Sequence, residues 1–547
     1  MPDTLVTVGQ MGSHSILISS LLIGVFVMLL KWTRRDDELP LINGKKLFEF
    51  REHQVQMALA TRFPEMMQEG FSKGEVFRLW TPAGVKIVLA HKFASEILTH
   101  PELVPGTFAI RECNAYIPGF EVFSVTSRHE FVQDTVRLRL TRQLSQYLSP
   151  HLTISGVLHL AHRFTRQINK TSNHADGTAS EEHMDGGRKY VPAVSSFNEI
   201  ETCIRLTGIL DWHEVCPSET AIHIVSRLTS TVLVGETIGR DPEWLSTVAN
   251  YTAESLHAMH VLNSWPRTLR RFVAYFDPSC RRLRQHIARA RAILLPEKQA
   301  RSAAREAEEK GEFDDAIEWL DEMSAGQSFD PTTAQLALAL ASIHSTSDFL
   351  NQVLLDLCHS EDWDDLVQDL RKEIVSALGV VGWQKIALNK LNLMDSVLKE
   401  SHRLKPTTLI GIGREAIKTM RLSNGTVIPK GSMILVPNTA LRDPNIYHNP
   451  DKFDPYRFVN LRAAGNKSAH LVSPSPEHLG FGLGKHACPG RFFAANELKI
   501  ILCHMLMKYD LKPVDGSDIT TKITDLVYSS NRAARIAVRR RQEEIDL

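Results

Sequence analysis

Phe481-Gly-Leu-Gly-Lys-His-Ala-Cys-Pro-Gly490 runs without a break into Arg491-Phe-Phe-Ala-Ala-Asn-Glu-Leu-Lys-Ile-Ile-Leu-Cys-His-Met-Leu506, a largely apolar stretch read as a helix. A single Cys is most often an inert core residue, because free Cys is among the most buried types. The setting of Cys488 argues otherwise. Gly482, Gly484 and Gly490 permit backbone conformations and close approaches that a side chain would block. Cys488 also stands at the start of the helix, where free N–H groups and the dipole stabilise a thiolate. A thiolate held in this way is a metal ligand, and Gly490 leaves room for a large flat cofactor.

Working upstream, Glu400 and Arg403 lie in Val397-Leu-Lys-Glu-Ser-His-Arg-Leu404. Three residues apart on a helix, they share a face and can pair. Alone, such a pair is a surface ion pair worth roughly a few tenths of a kcal/mol. Further upstream, Pro331 opens the nearly uncharged segment Thr332-Thr-Ala-Gln-Leu-Ala-Leu-Ala-Leu-Ala-Ser-Ile-His-Ser-Thr-Ser-Asp348. Pro suits a first helical turn, and Ala and Leu are strong helix formers. Apolar residues almost all round predict a buried helix. On it, His344 is either a satisfied core group or, beside Ser345 and Thr346, part of a proton relay.

The Cys488 segment resembles the heme-binding loop of the cytochrome P450 family, Phe-x-x-Gly-x-Arg-x-Cys-x-Gly. Phe481, Gly484, Cys488 and Gly490 match, and His486 replaces the usual Arg. That replacement makes the charge offered to a heme propionate dependent on pH. Glu400-Ser-His-Arg403 resembles the family's Glu-x-x-Arg helix, and Phe453-Asp-Pro-Tyr-Arg457-Phe resembles its Pro-Glu-Arg-Phe element. The resemblance implies that Glu400, Arg403 and Arg457 form a buried structural network that pins the Cys loop. Ala341-Ser-Ile-His-Ser-Thr346 resembles the family's Ala-Gly-x-acid-Thr-Thr. Ser342 takes the Gly place, His344 the acid and Ser345 the first Thr, which implies His344, Ser345 and Thr346 as catalytic residues. Arg414 stands where a propionate partner is expected, or is an exposed strand Arg. The family's Trp-x-x-x-Arg is missing, with Arg137 in Val136-Arg-Leu-Arg-Leu-Thr141 as its counterpart.

Taken together, the resemblance implies the mainly α heme-thiolate fold with small β regions. It implies heme b with Cys488 as axial ligand, held also by Phe481, Gly484, His486, Gly490, Arg414 and Arg137. The reaction implied is insertion of one oxygen atom from O2 into a C–H or C=C bond of a lipophilic small molecule. Thiolate ligation favours O–O cleavage. The chain has no Rossmann-type Gly pattern or flavin signature, so electrons from NADPH are expected through a separate flavoprotein, an NADPH-cytochrome reductase. The motifs look most like those of filamentous-fungal members, many acting in terpenoid, alkaloid or polyketide pathways. Two rivals stay open: a heme-thiolate isomerase or dehydratase using a peroxide, and a heme sensor or carrier without turnover.

Composition agrees with an ordinary core-forming protein. Lys plus Arg total 63, as do Asp plus Glu, so no basic excess suits nucleic acid. Seven Cys are too few, and odd in number, for a disulfide scaffold, which predicts a reducing compartment. At roughly 150 residues per domain, 547 residues suggest three to four domains. The resemblance implies one, over 39–547, behind an anchor over 1–38. From Thr4 to Leu30 there is no charged residue, and Lys31, Arg34 and Arg35 follow. This order predicts an uncleaved transmembrane helix at about 15–32 rather than a signal peptide. The positive-inside bias places the catalytic body on the cytoplasmic side, in a single-pass endoplasmic reticulum protein. A hairpin is expected where Thr81-Pro-Ala-Gly84 separates two strands, and another at Asn424-Gly425. The stretch 171–189 reads as a solvated loop, 301–315 as an exposed helix, 363–378 and 383–404 as helices, and Met433-Ile-Leu-Val436 as a strand.

Overall fold

The computed structural model describes residues 39–44, 53–140, 211–307, 313–524 and 526–545. The expected membrane helix at 15–32 and the loop at 171–189 lie outside the described residues. Among the described residues, no helix is long and apolar enough to cross a membrane. The six described cysteines are all free thiols.

The sheet forms first along the chain. After β1 (Leu41–Ile42) and α1 (His53–Lys73), strands β2 (Val76–Thr81) and β3 (Gly84–Leu89) pair antiparallel, with Thr81 opposite Gly84 across a two-residue turn. Gly84 sits at φ +106°, which a side chain would resist. This is the expected hairpin. β4 (Leu103–Val104) and α2 (Pro105–Glu112) follow, then α3 (Glu130–Thr135) and a π turn at Val136–Leu140. β5 (His213–Val215) leads into the helical body: α4 (Pro217–Gly239), α5 (Pro242–Asn263), α6 (Arg270–Phe276), α7 (Pro278–Glu306) and α8 (Ala316–Ser324). α9 (Pro331–Cys358), α10 (Trp363–Val381) and α11 (Asn392–Leu404) continue it.

β6 (Ile410–Ala416), β7 (Met420–Arg421), β8 (Val427–Ile428) and β9 (Met433–Pro437) return to the sheet region. The first sheet has the order β1-β2-β3-β9-β6-β4, with β9 buried along its whole length. β7 and β8 form the hairpin expected around Asn424-Gly425. α12 (Arg457–Ala463) and α13 (Arg491–Lys508) precede β10 (Tyr509–Pro513), β11 (Lys522–Thr524), β12 (Val527–Ser529) and β13 (Ile536–Arg540).

The helix α9 is capped by Asp330, whose carboxylate accepts the Thr332 N–H at 3.1 Å, and Pro331 occupies its first turn. Two separate hydrophobic clusters meet along it. Leu336, Leu338 and Ile343 belong to one, with α5, α7 and α8; Phe349, Leu350 and Leu354 belong to the other, with α10, α11 and α13. The polar run from His344 to Asp348 falls at the seam between them.

Two expectations need correction. Among its described residues, the 301–315 segment is helix only to Glu306, exposed at Ala303 and from Arg305 to Ala307, and its two ends are not exposed: Arg301 is buried and holds Asp315 in a two-pronged pair at 2.8 and 2.7 Å. Asp315 also caps α8 through the Ile317 and Glu318 N–H groups. A charged segment conceals its burial when its partner lies further along the chain. The single helix expected over 383–404 is two pieces, broken at Leu391.

Candidate active site

The loop ahead of α13 is folded by its own backbone. The Cys488 N–H donates to the Phe481 carbonyl at 2.8 Å, and the Gly482 N–H to the Leu479 carbonyl at 2.8 Å. Gly482 and Gly484 take φ +70° and +63°, the left-handed region that favours glycine. Cys488 keeps accessible surface although protein surrounds it on most sides. Burial pushes its thiol up, while the Gly490 and Arg491 N–H groups and the Arg491 charge pull it down. A Cβ added at Gly490 would meet only Val136 Cγ1, at 3.7 Å. The protein's own packing therefore does not demand glycine there.

Behind the loop, Arg403 grips Glu400 with two bonds, Nε to Oε2 at 2.7 Å and Nη2 to Oε1 at 2.8 Å. Both side chains are fully buried. Arg457 Nε joins the same carboxylate at 3.0 Å, and the Asp454 N–H at 3.1 Å. Arg403 Nη1 donates to the carbonyls of Leu441 and Pro450. Lys399 Nζ donates to three more carbonyls, of Ser468, His470 and Ser473. One face of α11 thus fixes the long connection between β9 and α13.

His402 occupies another face of α11. Its ring lies 4.6 Å from that of Phe481 and stacks on Phe349 at 4.9 Å. Burial, with the Lys399 and Lys405 charges, pulls it down to about 3, so the ring is neutral. A Cβ at Gly480 would stand 2.4 Å from His402 Cε1. Sequence reading passed His402 over. Its signal was an imidazole on an otherwise structural helix face.

Arg414 is 5% exposed, on β6, which disposes of the exposed alternative. Its Nη1 donates to the carbonyl of its neighbour Gly413, and its buried Nε has no partner. Burial alone pulls it down to about 10. His486 is lowered by burial and by the charges of Arg414, Lys485 and Arg137. Arg137 donates to the Lys485 carbonyl at 2.8 Å and pairs with Asp134 at 3.3 Å. A buried guanidinium without an acid is costly. The residues present therefore fit heme: a thiol donor at a helix start, an open approach at Gly490, and cations that an anionic edge such as the propionates would satisfy.

On α9 the structure divides the expected relay. Ala341 is exposed, and Ser342, His344 and Ser345 are half-buried, so this stretch faces open space. Ser345 Oγ donates to the Ala341 carbonyl at 2.7 Å, and Ser342 Oγ to that of Leu338 at 2.6 Å. Thr346 is buried, about 100° around the helix from Ser345, so the two hydroxyls do not share a face. Burial lowers His344 most, Asp348 raises it, and Arg532 and Lys405 lower it.

Comparison with known proteins adds four findings. Residues 214–534 match the family model described as Cytochrome P450. Over 530 residues the chain is 46% identical to a cytochrome P450 monooxygenase, ausG, of Penicillium brasilianum, covering 96% of this chain and 92% of the relative. It is 40% identical over 512 residues to the cytochrome P450 monooxygenase trt6 of Aspergillus terreus, covering 93% and 94%. Among solved structures, retinoic acid-bound cyanobacterial CYP120A1 superposes with a TM-score of 0.61 at 17% identity, over 92% of this chain and 99% of that one, a likeness of fold.

Proposed function

The chain belongs to the cytochrome P450 family and is a monooxygenase, and from that premise we propose that it oxidises a lipophilic small molecule in fungal secondary metabolism, of terpenoid, alkaloid or polyketide kind. The observation that carries this reading is the Cys488 thiol ahead of α13, on a loop whose His486 feels the charge of the buried Arg414, a guanidinium with no acid partner and a bare Nε. Heme, when bound, supplies an iron able to activate O2 for transfer of one oxygen atom.

The chain's own residues do the rest. Cys488 binds the iron, with the Gly490 and Arg491 N–H groups favouring its thiolate. Arg414, His486 and Arg137 hold the propionate side. Glu400, Arg403 and Arg457 act structurally, fixing the connection that carries the loop. His344 and Ser345, on the open face of α9, order and pass protons, while Thr346 supports the helix from its buried side. We place residues 1–38 as a membrane anchor and linker, 39–547 as one catalytic domain facing the cytoplasm at the endoplasmic reticulum, and an NADPH-dependent flavoprotein reductase as electron donor. Resistance to carbonate washing, lost when residues 1–32 are deleted, checks the anchor.

Co-expression with a reductase and candidate pathway intermediates tests the function. NADPH-dependent product carrying one added oxygen is expected, and turnover of a hydroperoxide without NADPH would refute it. Cys488→Ser should lose the strongly red-shifted ferrous–CO band of thiolate ligation. A band that persists would place the ligand at another Cys.

A further inference from the structure

Beyond His344, α9 carries Asp348, Gln352 and Asp356 at four-residue intervals, one stripe on one side of the helix. These residues are linked through partners from distant segments. Lys405 Nζ lies 2.9 Å from Asp348 Oδ2, and the Ser530 N–H donates to Asp348 Oδ1 at 3.0 Å. Lys405 also donates to Ser530 Oγ, which in turn donates to Gln352 Oε1 at 3.1 Å. Gln352 Nε2 donates to Asp356 Oδ1 at 2.6 Å, and Ser401 Oγ to Asp356 Oδ2. Lys405 is 4% exposed and Asp348 20%, so the pair is largely removed from water.

Keeping two such charges inside a fold costs desolvation that a hydrophobic pair would avoid. The fold spends it one helical turn from the residue standing where the family has an acid. Asp348 and His344 are i and i+4 apart, on the side of α9 that holds Ala341 and Ser345. The charged groups around His344 are Asp348 on its own helix, Lys405 just past the end of α11, and Arg532 in the connection from β12 to β13. Two are cations. Asp348 is the one group among them that favours a protonated imidazole.

We propose that Asp348 supplies, one turn along α9, the carboxylate that position 344 lacks: it is a positioning residue whose negative charge favours a proton on the His344 ring, and Lys405 with Ser530 fixes Asp348 in place. This rests on the reading that His344 takes part in proton delivery. The proton leaves a ring nitrogen of His344 for water or a hydroxyl on the open face and is replaced from water. The Asp348 carboxylate neither gains nor loses one. The rest of the stripe, through Gln352 and Asp356, holds this arrangement against α11.

The test uses the full-length holoprotein and two readouts over pH: the ferric absorption spectrum, and product formed per NADPH. The spectrum should show a midpoint that His344→Gln removes. Asp348→Asn should move that midpoint down by about one pH unit, the effect of losing a nearby opposite charge. Asp348→Glu should restore it, and Lys405→Met, which removes a cation facing the ring, should move it up. Product per NADPH should follow the same midpoints. An Asp348→Asn protein that keeps the wild-type midpoint while melting lower would overturn the proposal, leaving Asp348 as a brace only. Absence of any His344-dependent midpoint would overturn the relay reading and this proposal together. Should Lys405→Met fail to yield holoprotein, the Asn and Glu variants at 348 still decide.

Discussion

Arg414 holds a full positive charge in the interior with one hydrogen bond to its neighbour's carbonyl and a bare Nε. Its cost falls on the protein without heme and is relieved when an anionic group arrives. Arg414→Met should therefore divide the two states. The heme-free protein should melt no lower than wild type, because an unpaired buried charge has gone. Heme should leave faster, by roughly ten- to a hundredfold, since a charge-assisted hydrogen bond contributes on the order of 1.5–3 kcal/mol. Transfer of heme to a scavenging globin measures the rate. Equal heme loss with a lower melting point in the apoprotein would make Arg414 a packing residue.

At the scale of elements, α11 joins the sheet region, the long connection before the Cys loop, and α9. Glu400→Gln or Arg403→Lys should cost heme incorporation and not activity alone, because breaking one partner of a buried pair strands the other at about 3–5 kcal/mol. Normal holoprotein with an unchanged melting temperature would contradict the burial seen here. Helix α11 also shows what sequence could and could not disclose. Glu400 and Arg403 were legible because three residues on one helix fix their proximity, and Cys488 because its glycines are contiguous with it. Arg457 was legible only through family resemblance. The Asp348–Lys405 and Arg301–Asp315 pairs were not, since each joins charged residues that look like solvated surface until the fold closes. The separation of Thr346 from Ser345 was not legible either, because adjacency in sequence conceals a 100° turn of the helix.

Over the whole molecule, the unused buried titratable groups set an acid limit. Burial pulls His402 and His504 down to about 3 and His478 well below its ordinary value. These rings stay neutral in the fold and take up protons on unfolding below about pH 6.5. Their contribution is whole above that pH and is lost as pH falls toward about 3. Acids raised by burial oppose them, Glu318 and Glu373 among them. Burial raises Asp356 to about 6 and Glu497 to about 8, so both release protons on unfolding at mildly acid pH. Near pH 5.5 the rings take up protons on unfolding while the raised acids give theirs up, so stability should fall with acidification, more gently than the histidines alone would make it. Melting of the holoprotein between about pH 5 and 6.5 measures this slope. A flat or inverted profile would mean that these rings are not held neutral in the fold.

The contact between Gly480 and His402 reaches beyond this one chain into inheritance. A methyl group at 480 has no place while an imidazole fills position 402. The two positions lie 78 residues apart in the sequence, yet descent must treat them as one locus. A lineage that replaces the imidazole with a smaller side chain gains freedom at 480, and a lineage that loses the glycine first must pass through a displaced loop. The order of substitution is thereby constrained: 402 shrinks before 480 grows.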